Sequence, residues 1–556
     1  MHHSTYPFTL FNACIDEYIL PEKFTFPFFY EPHPLCKLAA SELQHYLMTQ
    51  KEWAHNFGLD HSYDGVGKMF GVLIAESQQG DIGYLSAFSG KVAGQSELTR
   101  FVPPVFDMFA KQSFFHADNK EIISINDQID ILNNSAQLTE LAIQLEKFES
   151  RYQQEESAHR EKMIANRSAR KSQRQYAQSH LNDIELKLAL EELAKQSVDD
   201  KNTLKYLKLE WQGKIHKVKS EWQKLIFELN QLKDKRKTLS NALQHKLFEQ
   251  YRFFNIHSEE KSLNSIFEGT TPPAGAGECA APKLLHYAFK HGFKPLAMAE
   301  FWWGNSPASE IRQHKTFYPS CHSKCQPILG HMLQGMEVDD NPLEKAWAEH
   351  DPMDIVFEDE AIVVINKPAG LLSIPGKTIQ DSAITRLQKR YPDAEGPFVV
   401  HRLDMATSGL LVFALTKRAN KSLQKQFITR TVNKRYAAIV EGEVQHQSGQ
   451  INLPMRGDPD DRPRQLVCFE HGKSAETHWQ CIETKDGQSK LYLYPKTGRT
   501  HQLRVHCAHR LGLNMPMYGD GLYGQRAKRL HLHAQRLIID HPYTKERMIF
   551  EAESPF

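Results

Sequence analysis

His401-Arg402-Leu403-Asp404-Met405-Ala406-Thr407-Ser408-Gly409-Leu410-Leu411-Val412-Phe413 reads as a polar loop running into a strand. The last four residues are apolar and suited to a buried strand, and Ser408-Gly409 punctuates its start. Asp404 therefore belongs on a loop at the strand's edge. Taken by itself, an Asp beside an Arg is an ordinary surface ion pair. The chain on either side changes that reading.

Working outward, alternating apolar strands begin at about Asp354 with Ile355-Val356-Phe357 and Ala361-Ile362-Val363-Val364-Ile365, around the acidic turn Glu358-Asp359-Glu360. Then come Asn366-Lys367-Pro368-Ala369-Gly370-Leu371-Leu372-Ser373-Ile374-Pro375-Gly376, Asp381-Ser382 with Arg386-Leu387, Lys434-Arg435-Tyr436, Gly498-Arg499-Thr500-His501-Gln502-Leu503-Arg504-Val505-His506, Gly519-Asp520 with Tyr523, and Leu530-His531-Leu532-His533-Ala534. These strings, in this order over residues 352–556, resemble the RluA-type RNA pseudouridine synthases. The resemblance implies an α+β catalytic domain of the pseudouridine synthase fold: a mixed, largely antiparallel sheet with flanking helices. It also implies an isomerase acting on uridines in structured RNA, 23S rRNA or tRNA, with Asp404 as the catalytic carboxylate, Arg499 as the partner of Asp404 and Tyr436 as the active-site tyrosine. Arg402, next to Asp404, is implied as the wedge that fills the gap left by a uridine drawn out of its stack.

The chemistry suits those residue types. Breaking the uridine N-glycosidic bond and rejoining the base through carbon is neither redox nor energy-consuming, so no cofactor is expected. A carboxylate near sugar and base is required, to attack or to take a proton. An ordinary Asp titrates at about 3.9, and a guanidinium beside it keeps it ionised while gripping it through two parallel hydrogen bonds. A tyrosine offers a face for the uracil and a phenol that can carry a proton. Phosphate or base contacts are expected from Lys367, Lys377 and Arg386, and from Arg462 and Arg464 in the loop 456–464. Each of these is individually an ordinary solvated cation.

Upstream lies an extension of about 350 residues. Residues 1–118, with the strand-like runs Met69–Ile74 and Ile82–Phe88, form a small β-containing domain. Residues 129–251 hold no Pro and one Gly, Gly213, with apolar residues at heptad spacing, including Leu138, Leu141, Leu145, Phe148, Trp211, Val218, Trp222 and Leu229. That composition predicts a long antiparallel helical hairpin, or coiled coil, with its turn in the polar stretch Ser197–Asn202. On that register Arg160, Lys162, Arg167, Arg170, Lys171 and Arg174 would lie near Lys233, Lys235, Arg236 and Lys237. Such a band is either a second contact for a large RNA or the solvated face of a charged coiled coil. Residues 252–345 form a Cys- and Trp-containing piece. There Cys279, Cys321 and Cys325, with His286 and His331 nearby, are spaced as ligands of a structural zinc or as unligated thiols. The pattern faintly resembles zinc nucleoside deaminases, but Ala281 stands where their proton-shuttling Glu would be.

Sixty-eight Lys+Arg against 67 Asp+Glu give a formal charge of +1, which neither favours nor excludes a nucleic-acid partner. The scattered cysteines, the unbasic start and the lack of a long apolar run predict a cytoplasmic protein without membrane spans. Two other readings stay in view: a catalytically idle RNA-binding or ribosome-assembly factor that retains the fold, and a coiled-coil scaffold carrying the enzyme as a passenger.

Overall fold

The computed structural model describes residues 7–59, 65–110, 113–341, 353–376, 379–459 and 461–556. The chain divides into two compact units, Met108–Leu247 and the remainder, Met1–Asp107 with Phe248–Phe556. Among the described residues no helix is long and apolar enough to cross a membrane.

In the larger unit, residues 353–556 build the expected mixed sheet. Its strands run in the order Ser448–Asn452, Glu476–Lys485, Gln488–Pro495, Asn433–Glu441, Leu532–Asp540, Ser408–Ala414, Ile362–Lys367, Asp354–Glu358. Neighbours are antiparallel except at one place, where Ser408–Ala414 lies parallel to Leu532–Asp540 with Gly409 opposite Ala534. Ala534 also faces Tyr436 on its other side, so Gly409, Ala534 and Tyr436 form one row across the sheet. Only glycine fits the start of that strand: a Cβ on Gly409 would meet the Ala534 carbonyl oxygen at 2.4 Å, and its φ is +112°. The central strands read as unbroken apolar runs because they are buried on both faces.

The two segments set apart in the sequence as 1–118 and 252–345 contribute to one antiparallel sheet, Thr9–Leu10, Ile82–Phe88, Lys68–Glu76, Lys294–Trp303, Phe317–Tyr318. Phe70 pairs with Phe301 and Val72 with Ala299, across more than two hundred residues of chain. Phe70, Val72 and Ile74 pack with Leu35, Ala39 and Leu43 of the helix Pro34–Thr49. Gly71, on the opposite face, lets the helix Ala280–Lys290 approach so closely that a Cβ there would lie 2.9 Å from that of Ala280. Strand pairing between segments so distant in sequence leaves no local signal, which is why the two runs read as separate pieces.

The smaller unit is helical: Phe114–Asn133, Ala136–His180 and a long helix starting at Asp183. The turn is at Leu181–Asn182, not at Ser197–Asn202. Asn182 Oδ1 accepts the Glu185 N–H, and Asp183 and Glu185 put acidic charge in the first turn, a helix start. The stretch around Asp200 lacks Gly and Pro and stays helical, with Asp200 bound to Arg170 at 2.7 Å and to Asn166 at 2.9 Å. Phe148 meets Trp211, and Glu155 accepts from the Trp211 indole at 2.8 Å. This register corrects the predicted basic band. Lys235 lies beside Glu121 at 3.0 Å, and Arg170 beside Asp200, so the two clusters face different partners.

Candidate active site

Asp404 lies on the loop before Ser408–Ala414, where the sheet switches to its one parallel pair. Several groups fix that loop. The Leu403 amide donates to Ser373 Oγ, whose hydroxyl lies 2.8 Å from the Leu403 carbonyl; the Gly370 amide donates to the Met405 carbonyl at 2.6 Å; the Thr407 amide donates to the Asp404 carbonyl. Lys367, wholly buried at the end of its strand, donates through Nζ to the carbonyls of Pro368 at 2.9 Å, Leu371 at 2.7 Å and Met405 at 3.3 Å. Burial pulls the Lys367 ammonium down to about 7, while the Asp404 charge pushes it back up. Three carbonyl acceptors are the surroundings of an ammonium.

The guanidinium nearest to Asp404 belongs to Arg504, whose Nη1 lies 3.8 Å from Asp404 Oδ2. Arg504 sits in the short helix Gln502–Ala508 with its side chain 5 % exposed, against 24 % for Asp404. It is held from behind by the fully buried Asp520 through a two-pronged pair, Nε to Oδ2 at 2.8 Å and Nη2 to Oδ1 at 2.6 Å. Asp520 in turn accepts the amides of Leu522 and Tyr523. Tyr523 lies under the Arg504 guanidinium and bonds His501, whose ring is pushed down to about 4, by burial above all and then by the Arg504 charge. Arg499 is thus displaced from the place expected for it. Its amide is held by Gln502 Oε1, its Nε turns to the Ser474 carbonyl at 3.1 Å, and its side chain is exposed on the wall of the cleft. Both arginines lie in one nine-residue string; only the helix, which turns Arg504 inward between buried Leu503 and Val505, separates them.

Tyr436 comes from the strand Asn433–Glu441 and lines the same cleft, its phenol pushed up by burial and then by the negative charge of Asp404. The cleft measures about 2160 Å³ and is lined by Arg402, Asp404, Tyr436, Arg462 and Arg499, with Arg402, Arg462 and Arg499 exposed. This is well above the roughly 300–1,000 Å³ of a small-molecule pocket, so it has room for a polymer. Part of its lining was not foreseen: Phe26, Phe28, Phe29 and His322 come from the N-terminal module formed by segments 1–118 and 252–345, with the Arg526 guanidinium 3.8 Å from the Phe29 ring centre.

The other basic candidates divide. Arg464 is buried, donating Nη1 to Asp461 at 2.6 Å and Nε to the Leu522 carbonyl, while Arg312 of the N-terminal module binds the same Asp461 oxygen at 2.9 Å. It is a brace within the fold, although it borders the cleft. Lys367 is likewise engaged internally and offers no surface to RNA. Arg386 grips Asp381 at 2.6 Å outside the cleft lining. Lys377 lies outside the described residues. Cys279, Cys321 and Cys325 are brought together, whereas His331 bonds the Phe253 carbonyl and His286 stacks on Phe254.

Comparison with known proteins finds relatives of this part of the chain. Residues 361–509 match the family model described as RNA pseudouridylate synthase. A protein of Yersinia pestis named dual-specificity RNA pseudouridine synthase RluA is 46 % identical over 212 residues, 37 % of this chain and 100 % of that relative. The protein of the same name from Escherichia coli K12 is 44 % identical over 224 residues, 39 % of this chain and 97 % of the relative. Among solved structures, human RNA pseudouridylate synthase domain containing 1 is 29 % identical, covering 39 % of this chain and 87 % of its own, with a TM-score of 0.32. With the two RluA relatives matched over 97 % or more of their length at 44 % identity or better, the chain belongs to the RluA family of RNA pseudouridine synthases and is an isomerase.

Proposed function

We propose that this protein converts uridine to pseudouridine in a folded RNA, ribosomal or transfer RNA, with Asp404 as the reacting carboxylate. The observation that carries the reading is Asp404 in the lining of a polymer-sized cleft, 3.8 Å from an arginine that a buried aspartate holds in place. Arg504, rather than Arg499, lies beside the carboxylate and is placed to aim it. Its own charge is fixed by Asp520, so little reorganisation is needed during the reaction.

The atoms balance without a cofactor. The N1–C1′ bond breaks, uracil turns, C5 bonds to C1′, and the proton lost from C5 is matched by one gained at N1. Asp404 either attacks C1′ or takes the proton while stabilising the detached sugar. Tyr436 offers its ring to the uracil, and its raised pKa keeps the phenol protonated. Arg402 is the candidate wedge for the vacated stack, and Arg462 and Arg499 are candidate phosphate contacts on the cleft wall.

Asp404→Asn tests the assignment. Release of tritium from RNA labelled at uridine C5 should fall below detection, while RNA binding stays near that of the parent protein. Measurable turnover by the purified Asn variant would end the assignment.

A further inference from the structure

Cys279, Cys321 and Cys325 converge from two segments of the N-terminal module. Cys279 is the residue before the helix Ala280–Lys290, and its side chain makes no capping bond there. Cys325 opens the helix Cys325–Met332, and Cys321 lies one turn upstream. The three Sγ atoms lie within 4.8 Å of one another, Cys325 buried and the other two half-buried. A tetrahedral zinc with Zn–S of about 2.3 Å spaces its sulfurs by about 3.8 Å, so a contraction of about 1 Å or less closes the trio on a metal.

The surroundings hold both sulfur-bearing segments. Glu300, buried in the strand Lys294–Trp303, accepts the Ala281 amide at 3.2 Å with one oxygen and the Ser320 hydroxyl at 2.6 Å with the other. Ala281 is two residues after Cys279, and Ser320 immediately precedes Cys321. One carboxylate thus pins both ligand segments, as the partners behind metal ligands do. Lys283, also buried, anchors the residue before Cys279 through Glu278 at 3.2 Å. Elsewhere in the chain Cys36 and Cys507 are plain members of apolar clusters.

We propose that Cys279, Cys321 and Cys325 bind one zinc ion through three thiolates. Three soft sulfur ligands select a thiophilic metal and exclude magnesium or calcium. Among the described residues no fourth His, Cys, Asp or Glu joins the group, so water completes the tetrahedron. With Ala281 in place of a proton-shuttling acid, the metal's role is to hold structure. What it holds is the segment Pro319–Gln326, of which Pro319, Ser320, His322 and Gln326 line the same cleft as Asp404. The metal site stands on the cysteine geometry and does not depend on the reaction assigned to that cleft.

Full-length protein purified from zinc-sufficient, reducing medium should carry close to one zinc per chain by elemental analysis. Cys321→Ser should lose at least about nine-tenths of it, while Cys468→Ser, at a cysteine outside the trio, keeps it. Cobalt exchanged into the unaltered protein should produce a thiolate-to-cobalt charge-transfer band in the near ultraviolet, a readout independent of whether a variant folds. Metal-free protein that takes up neither zinc nor cobalt under reductant would overturn the proposal. So would peptide mapping that finds two of the three cysteines joined in a disulfide, or a Cys321→Ser protein with undiminished zinc.

Discussion

Lys367→Met removes an ammonium that never reaches solvent and touches no RNA, yet it should impair both stability and turnover. Nζ serves the carbonyls of Pro368, Leu371 and Met405, and Met405 keeps the Gly370 amide, so the loss falls mainly on the buried Leu371 carbonyl and the half-buried Pro368 carbonyl. Each unsatisfied acceptor costs about 1–3 kcal/mol, partly offset because no cation is buried, for a net of about 3 kcal/mol. At roughly 2–4 °C per kcal/mol for a domain of this size, the synthase transition should fall by about 6–12 °C. Because Met405 adjoins Asp404, a shift of about 1 Å in the carboxylate would cost on the order of a hundredfold in turnover. The pH dependence follows from the depressed pKa. The folded lysine releases its proton near 7 and the unfolded one near 10.4, so between those values the unfolded chain holds more protons and stability rises with pH. Below about 7 both forms are protonated and this contribution to the slope vanishes. Denaturant titrations of both proteins between pH 7 and 10 isolate the effect, since the variant lacks that rise of up to about 1.4 kcal/mol per pH unit. A Met variant with parental midpoint, turnover and pH slope would refute the role given to Lys367.

Arg504→Lys should lower tritium release by orders of magnitude, because the two-pronged grip on Asp520 and the reach to Asp404 both disappear, whereas Arg499→Lys should keep turnover within about tenfold; the reverse order would restore Arg499 as the partner. Gly409→Ala forces a Cβ into the Ala534 carbonyl at 2.4 Å, so denaturant unfolding should show a loss of about 3 kcal/mol or insoluble protein. Arg402→Gln with Arg462→Gln should weaken RNA binding and flatten its dependence on salt, the log–log slope becoming shallower by about 0.7–0.9 for each phosphate that is no longer neutralised; an unchanged slope would remove both from the RNA surface.

Ordered motifs along residues 352–556 identified the family, and the strand alternation there announced a mixed sheet, because both are written in contiguous residues. The long helices were legible for the same reason: over a hundred residues without Pro and with heptad spacing leave little else to form. Their register was not, since a polar stretch at Ser197–Asn202 looks like a turn unless its lack of Gly and Pro is set against the capping residue Asn182. The choice between Arg499 and Arg504 could not be made from a string holding both; it depended on which side chain a seven-residue helix turns toward Asp520. Lys367 and Arg464 resembled RNA contacts in sequence because a lysine or arginine carries no mark of burial. Beside the near neighbours Pro368, Leu371 and Asp461, the carbonyls of Met405 and Leu522 that complete their hydrogen bonding reach them only once the chain has closed. The same holds for the aromatic residues Phe26, Phe28 and Phe29, which join Asp404 in one cleft across more than three hundred residues of sequence. Local propensity and motif order are properties of neighbours in the chain. Burial, charge pairing and the composition of a cleft are properties of neighbours in space, and those the tertiary structure alone decided.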